Sequence, residues 1–386
     1  MMSGDRTLDA RTPLDTRAGT GTARTGTTES GTAAEPLLRV RDLTVTLLRG
    51  GRDVRLVDGV GLEVRPGEVL GVAGESGSGK TVTGMTLVGL GPDRATVTGS
   101  VRFDGRELVG LPDKEWGRVR GRDIAVVFQD PSSALHPMLT VGRQLTDHVR
   151  RHQGISRKQA AARAAELLDM VRIPGGASAA ARYPHQFSGG MRQRIAIASA
   201  LACGPRLLIA DEPTTALDVT VQAGIVELLD ELRRETGMAV VMVTHDLGVL
   251  SSIADRIAVF YSGRVIETGT VSEVIGAPQH PYTRGLLQAL PHSSLGARSV
   301  VGHTVPLRPI PGSAPAADAP VPGCPFHPRC SSAVDGCDRT RPEPVTIGPA
   351  RTAACVLVEP GVARPADPPP TPGPVSAADA PARRKA

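Results

Sequence analysis

Residues 67–81 read GEVLGVAGESGSGKT, and the fold turns on that stretch. Its first half is an apolar run ending in glycine, the pattern of a strand buried on both faces of a parallel sheet. Its second half, Gly74 to Thr81, matches the phosphate-loop pattern G-x-x-x-x-G-K-[ST] at every position. Gly74, Gly77 and Gly79 let backbone N–H groups turn inward around phosphates, and a helix starting near Lys80 adds its positive end. Lys80 is placed to reach the β- and γ-phosphates, and the Thr81 hydroxyl to ligate Mg²⁺. Glu75, Ser76 and Ser78 complete the loop. A chance glycine-rich turn would lack both the strand before and the helix after. The stretch predicts a nucleotide site on an α/β fold.

Outward from the loop, the pattern extends in both directions. Residues 37–48 (LLRVRDLTVTLL) and 54–64 (VRLVDGVGLEV) alternate apolar and polar positions, as half-buried antiparallel strands do. From 140 to about 203 the period turns helical, with SRKQAAARAAELLDMV (156–171) the clearest amphipathic run. Apolar strands return at RLLIA (206–210), MAVVMVT (238–244) and RIAVF (256–260), and a helical run over 220–236 separates the first two. That alternation predicts a mainly parallel sheet with an inserted helical subdomain.

Within that frame RLLIADEP (206–213) delivers Asp211 to the C-terminal end of a strand, where a carboxylate can join the Mg²⁺ shell. Glu212, one residue on, can orient the attacking water or take its proton. FSGGMRQR (187–194) would by itself be only a helix cap. Placed just upstream of RLLIADEP it resembles the signature of ATP-binding cassettes, and VVFQDP (126–131), TTALDVT (214–220) and MVTHD (242–246) match the same family. In that resemblance Gln129 is the residue that touches both the Mg²⁺ region and the membrane partner, Asp218 belongs to the loop after the acidic pair, and His245 contacts the γ-phosphate. Ser188, Gly189, Gly190 and Met191 face the γ-phosphate held by a second cassette, again through a helix N-terminus. Hydrolysis then requires two cassettes head to tail.

The sub-family resemblance is to the ATPase subunit of dipeptide and oligopeptide ABC importers, over about 37–358. RYPHQFSGGMRQR (182–194), DEPTTALDVTVQ (211–222), HPYTRGLL (280–287) and a closing cysteine segment carry it. It implies an α/β P-loop cassette: a mainly parallel sheet core, an antiparallel β subdomain, a helical signature subdomain and a small C-terminal cysteine-containing extension. The expected organisation is a disordered tail over 1–36, an ATPase domain over 37–276 with its helical part at about 138–203, a C-terminal domain over 277–358, and a Pro/Ala-rich tail over 359–386. ATP and Mg²⁺, through Thr81, Gln129 and Asp211, are the implied ligands. The implied partners are a second, related ATPase chain, two permeases and an extracytoplasmic binding protein, at the cytoplasmic face of the cell membrane. A nickel or other small-solute importer of the same family is the alternative. A soluble cassette acting on DNA or ribosomes is disfavoured, since the chain has one phosphate loop and no long heptads, and Glu212 with His245 oppose a non-hydrolysing regulatory cassette.

Composition sets limits on these readings. The 386 residues are 40% hydrophobic but only 2% aromatic, so the core must be Val, Leu, Ile and Ala. The net charge of +5 is small and its arginines are scattered, so no nucleic-acid footprint is indicated. No run of 18 apolar residues occurs, and the N-terminal segment lacks the apolar core of a secretion signal. Cassettes of this kind stack adenine on an aromatic residue ahead of the phosphate loop. None precedes Phe103 here, so adenine is expected to rest on an aliphatic or arginine side chain such as Leu48 or Arg55, or to contact the partner. His136 stands where the family often has Asn and is given no role.

Four of the five cysteines, Cys324, Cys330, Cys337 and Cys355, fall in one window with spacings x5, x6 and x17, unlike the C-x2-C of a zinc ribbon. Four thiolates are the full ligand set for a [4Fe–4S] cluster or a structural zinc, and four metal-free buried thiols are the remaining possibility. CPFHPRCSSAVDGC (324–337) resembles the C-terminal domain of peptide-importer ATPases, some of which hold an iron–sulfur cluster there. His327 is expected outside the ligand set, and Cys203 in the core. Because no nucleotide motif falls within 324–355, the cluster is expected to be structural, and Cys330→Ser to unfold the segment or lower the yield while leaving the nucleotide site chemically intact.

Overall fold

The computed structural model describes residues 35–215, 217–290 and 309–363. The two expected tails lie almost wholly outside these residues. Two sheets organise the chain. Strands β1 (Leu38–Arg49), β2 (Arg52–Val64), β4 (Thr96–Phe103) and β5 (Arg106–Glu107) form an antiparallel sheet in the order β2-β1-β4-β5. Buried and open positions alternate over Leu38–Arg41 and Val60–Val64, as the two-residue period of a strand requires, and the phase breaks where the β1–β2 register shifts.

The second sheet is built on β3 (Val69–Ala73), β6 (Ile124–Val127), β7 (Leu207–Asp211), β8 (Ala239–Val243) and β9 (Arg256–Tyr261). These run parallel in the order β9-β3-β8-β7-β6, with Gly71 paired to both Met242 and Ile257. Each face of this sheet supplies one core. Val69, Leu208, Val240, Met242 and Ile257 pack with the helices, whereas Leu70, Ile209, Val241, Ala258 and Phe260 pack toward the antiparallel sheet. The fold is the cassette architecture read from the sequence.

Helices α1 (Lys80–Thr86), α2 (Asp113–Val119), α3 (Pro131–Ala134), α4 (Val141–Gln153), α5 (Arg157–Met170), α6 (Gly176–Ala180), α7 (Gly189–Leu201), α8 (Val219–Thr236), α9 (Leu247–Ile253) and α10 (Val271–Gly276) succeed the strands or form the inserted layer. Local signals set their starts. Ser156 and Gln159 make a reciprocal capping box on α5, and Ser188 and Asp218 cap α7 and α8.

The chain then continues the main sheet rather than leaving it. Strand β10 (Arg264–Thr270) pairs antiparallel with β9, and the late strands β12 (Arg351–Ala353) and β11 (Val345–Gly348) add beyond β10. Helix α11 (Pro281–Ala289) precedes them. A small core of Ile347, Ala353, Cys355 and Val358 closes this end. The expected C-terminal domain is thus joined edge-on to the same sheet that carries the phosphate loop.

Candidate nucleotide site

The phosphate loop leaves β3 at Gly74, whose φ of +148° only glycine adopts freely. A Cβ there would lie 2.3 Å from the Phe260 carbonyl oxygen, so the loop is packed onto β9 without space for a side chain. Lys80 is buried and folds back over the loop, donating from Nζ to the carbonyls of Gly74 (2.7 Å) and Glu75 (2.8 Å) and, more weakly, to Ser78 Oγ (3.4 Å). Burial lowers its pKa below the ordinary lysine value, against the pull of Glu212 and Asp211.

Across from it, the Thr81 hydroxyl donates to Asp211 Oδ1 at 3.0 Å. Burial, first of all, raises the Asp211 pKa, partly opposed by that hydrogen bond and by Lys80. A hydroxyl and a carboxylate facing one another beside a phosphate loop form the donor set that Mg²⁺ uses together with phosphate oxygens and water.

Glu212 is the convergence point. Its backbone sits at φ +46°, an uncommon left-handed conformation, held by an N–H bond to the Val243 carbonyl (2.8 Å). Its Oε2 accepts from Gln129 Nε2 (3.1 Å) and Thr215 Oγ1 (2.9 Å), and its Oε1 lies 3.4 Å from His245 Nδ1. Three motifs separated by up to 116 positions along the chain therefore meet on one carboxylate. Sequence reasoning misses Thr215, because a threonine following Asp-Glu-Pro reads as turn chemistry; only the fold turns its hydroxyl back to Glu212.

The signature residues stand apart from that cluster. Ser188 accepts the Met191 N–H at 3.4 Å within its own helix cap. Gly190 lets α7 close on α8, since a Cβ would lie 2.6 Å from Val221 Cγ1. Asp218 caps α8 through the Val221 N–H at 2.9 Å. His136 serves its own loop, with Nδ1 accepting from the Met138 N–H.

A cavity of about 530 Å³ opens beside Gly77, lined by Thr46, Arg55, Leu56 and, from the C-terminal segment, Pro322 and Arg341. Of the two residues expected to replace the missing aromatic, Arg55 lines it. Leu48 does not, and is 67% exposed at the end of β1.

The cysteines gather at the other side of the extension. Cys324, Cys330, Cys337 and Cys355 line one small cavity together with Phe326 and His327. The Phe326 and Ser332 backbone N–H groups donate to the sulfurs of Cys324 and Cys330, and burial holds both thiols above the ordinary range. His327 Nδ1 is 2.9 Å from the Cys324 carbonyl oxygen. None of the five cysteines is in a disulfide, and Cys203 is half-buried against the core. Among the described residues no three His, Cys, Asp or Glu side chains are gathered to hold a metal ion.

Residues 324–355 nevertheless touch the nucleotide loop. Arg329, inside that window, makes a two-pronged ion pair with Glu75 of the phosphate loop (2.8 and 3.0 Å). Lone arginines carry no spacing signal, so only the fold reveals the pair.

Residues 57–215 match the ABC transporter family, and residues 266–337 match the C-terminal region of oligopeptide/dipeptide transporters. The chain is 45% identical to the dipeptide transport ATP-binding protein DppD of Bacillus subtilis, over 84% of this chain and 95% of that protein. It is 44% identical to the oligopeptide transport ATP-binding protein OppD of Salmonella typhimurium, over 85% of this chain and 96% of that protein. Among solved structures it resembles a dimeric ATP-binding cassette in a post-hydrolysis state bound to ADP and phosphate, at 32% identity with a TM-score of 0.55, covering 61% of this chain and 98% of the other.

Proposed function

The chain belongs to the ABC transporter family, among its dipeptide and oligopeptide transport ATP-binding proteins, and from that premise we propose how its residues work. It is the ATP-hydrolysing subunit that powers peptide import. The convergence of Gln129, Thr215 and His245 on Glu212, one residue beyond the Asp211–Thr81 pair, carries the reading of the site.

The phosphate loop from Gly74 to Gly79 and the Lys80 ammonium take the triphosphate; Thr81 and Asp211 would hold Mg²⁺, with Gln129, whose amide bonds Glu212, joining them when the cation binds. The cation, when bound, neutralises charge developing between the β- and γ-phosphates. Glu212 is the general base, accepting a proton from the attacking water, and His245 holds the γ-phosphate end of the site. Ser188, Gly189, Gly190 and Met191 complete the site of a neighbouring cassette rather than their own. Their cap is self-contained and bonds to none of the Glu212 group, and the related cassette of known structure is dimeric.

The partners implied by this reading are a second ATPase chain, two permeases, through which the subunit is held peripherally at the cytoplasmic membrane face, and an extracytoplasmic binding protein. No described helix is long and apolar enough to cross a membrane. Reconstitution with the permeases in proteoliposomes tests the assignment. Peptide uptake should require ATP and vanish in Lys80→Ala; uptake of nickel but not peptide would move the substrate to the alternative.

For the cysteine module, the count of four thiols and their shared cavity support a [4Fe–4S] cluster held by Cys324, Cys330, Cys337 and Cys355, with a structural role. Protein purified without oxygen should then be brown and contain close to four iron atoms per chain. Colourless, metal-free protein with four alkylatable thiols would reject it.

A further inference from the structure

Glu75 places a carboxylate in a loop whose purpose is to surround phosphate anions. Its main chain and side chain are both held from the far end of the chain. Its N–H donates to the hydroxyl of fully buried Tyr282 in the first turn of α11 (2.8 Å), and its C=O accepts from Lys80 (2.8 Å). Its carboxylate is gripped by both terminal nitrogens of Arg329.

Arg329 is itself fixed on every side. Its Nε donates to the Pro311 carbonyl (2.8 Å), one terminal nitrogen also reaches the Tyr261 hydroxyl (3.3 Å), and its side chain is only 7% exposed. The rings of Tyr261 and Phe326 lie 5.9 and 6.0 Å from the guanidinium, and Tyr261, Tyr282 and Phe326 pack edge-on and tilted against one another. A planar fork set against a carboxylate fixes orientation as well as charge. A packing-only arginine would need neither a two-pronged geometry nor an acidic partner in the phosphate loop.

We propose that Arg329 is a positioning residue for ATP binding: it neutralises Glu75 and tethers the phosphate loop to the cysteine-bearing turn, so that the order of that turn sets the affinity for nucleotide. The inference rests on the reading of this loop as the ATP site. Cys324 and Cys330 bracket both Phe326 and Arg329, so whatever holds the two cysteines also holds the tether. Losing Arg329 has two effects on the site, a loosened loop and an unpaired carboxylate beside the phosphates. Losing Glu75 also loosens the loop, but the group it leaves unpaired is the Arg329 guanidinium, which does not repel phosphate.

That asymmetry supplies the test: calorimetric titration of the full chain with the Mg²⁺ complex of a non-hydrolysable ATP analogue, with a thermal melt of each variant. Removing Arg329, the buried member of the pair, leaves the part-exposed Glu75 carboxylate unpaired beside the phosphates, so Arg329→Gln should raise Kd about tenfold, and Arg329→Lys by less. Glu75→Ala leaves an unpaired guanidinium in the extension, which its melt reports, but no carboxylate beside the phosphates, and should raise Kd about threefold. The double variant should fall back to the Glu75→Ala value instead of multiplying the two. If Arg329→Gln does not fold, Glu75→Ala and Arg329→Lys still decide the matter. Wild-type Kd in all foldable variants, even with lowered melting temperatures, would reduce Arg329 to packing and overturn the inference alone. Absence of binding by the wild type, or equal binding by Lys80→Ala, would overturn the ATP reading and the inference with it.

Discussion

The Glu212 cluster and the cysteine turn are both assembled from residues far apart in sequence, yet they are held by different means. Around Glu212 the positions are dictated by backbone: strands β7 and β8 end side by side, and Asp211, Glu212 and His245 sit at or just beyond those ends. The cysteine turn has short 3₁₀ and strand elements and is held by side chains, chiefly Phe326 against Tyr261 and Tyr282 and the Arg329 fork. A site carried on strand ends loses chemistry when a side chain is changed and keeps its shape. A site carried on packed side chains loses shape first.

The largest expected effect lies on the first side of that contrast. Glu212→Gln should retain ATP binding while turnover in the assembled transporter falls by roughly 10²–10⁴-fold, the usual worth of a general base. Its melting temperature should be close to wild type, because Gln can still accept from Gln129 and Thr215. Unchanged turnover would show that Glu212 is not the base.

Phe326→Ala should do the reverse. Phe326 is buried among three aromatic rings, and its truncation should cost about 3–5 kcal/mol of stability in the extension. Denaturant unfolding followed at the cysteines by alkylation checks this. An effect below about 1 kcal/mol would mean the turn is held by something other than its aromatic contacts.

A third test uses pH. His280 is buried against Phe326, its pKa pushed down to about 3 by desolvation, and its Nδ1 accepts the Tyr282 N–H. Below its unfolded value near 6.5 the unfolded chain takes a proton that the folded chain refuses. Stability should therefore fall as pH drops from about 6.5, by up to about 1.4 kcal/mol per pH unit from this group. Buried Glu267 faces it, accepting the Gln279 and His280 N–H groups, with its pKa raised by burial. It acts in the opposite sense, gaining stability as pH falls through that raised value. His280→Asn should flatten the acid limb, and an unchanged limb would assign it to other groups.

The smallest effect should come from the exposed Arg143–Asp147 pair on α4 (3.2 Å). Arg143→Ala should change stability by no more than about 0.5 kcal/mol.

The same contrast explains which features the sequence reveals. The parallel core, the antiparallel sheet and Lys80, Thr81, Asp211, Glu212 and His245 are legible because strand period and motif spacing encode backbone geometry directly. Thr215 and Arg329 are not, because a single hydroxyl or guanidinium acquires its partner only when elements 3 to 254 residues apart in sequence are packed. For the same reason the x5, x6 and x17 spacings can be counted but not converted into a cavity. The joining of the extension to the main sheet through β10 and β12 is equally hidden, since a three-residue strand has no period to detect.

The central claim is that this chain carries half of each of two composite ATP sites, with Lys80 in one and Ser188 in the other. The most direct measurement is ATP hydrolysis per chain as a function of protein concentration, with the oligomeric state determined at each point and a partner ATPase then added. The account predicts a low rate from the monomer that rises with association or on addition of the partner. Full, concentration-independent hydrolysis by a demonstrated monomer would contradict it.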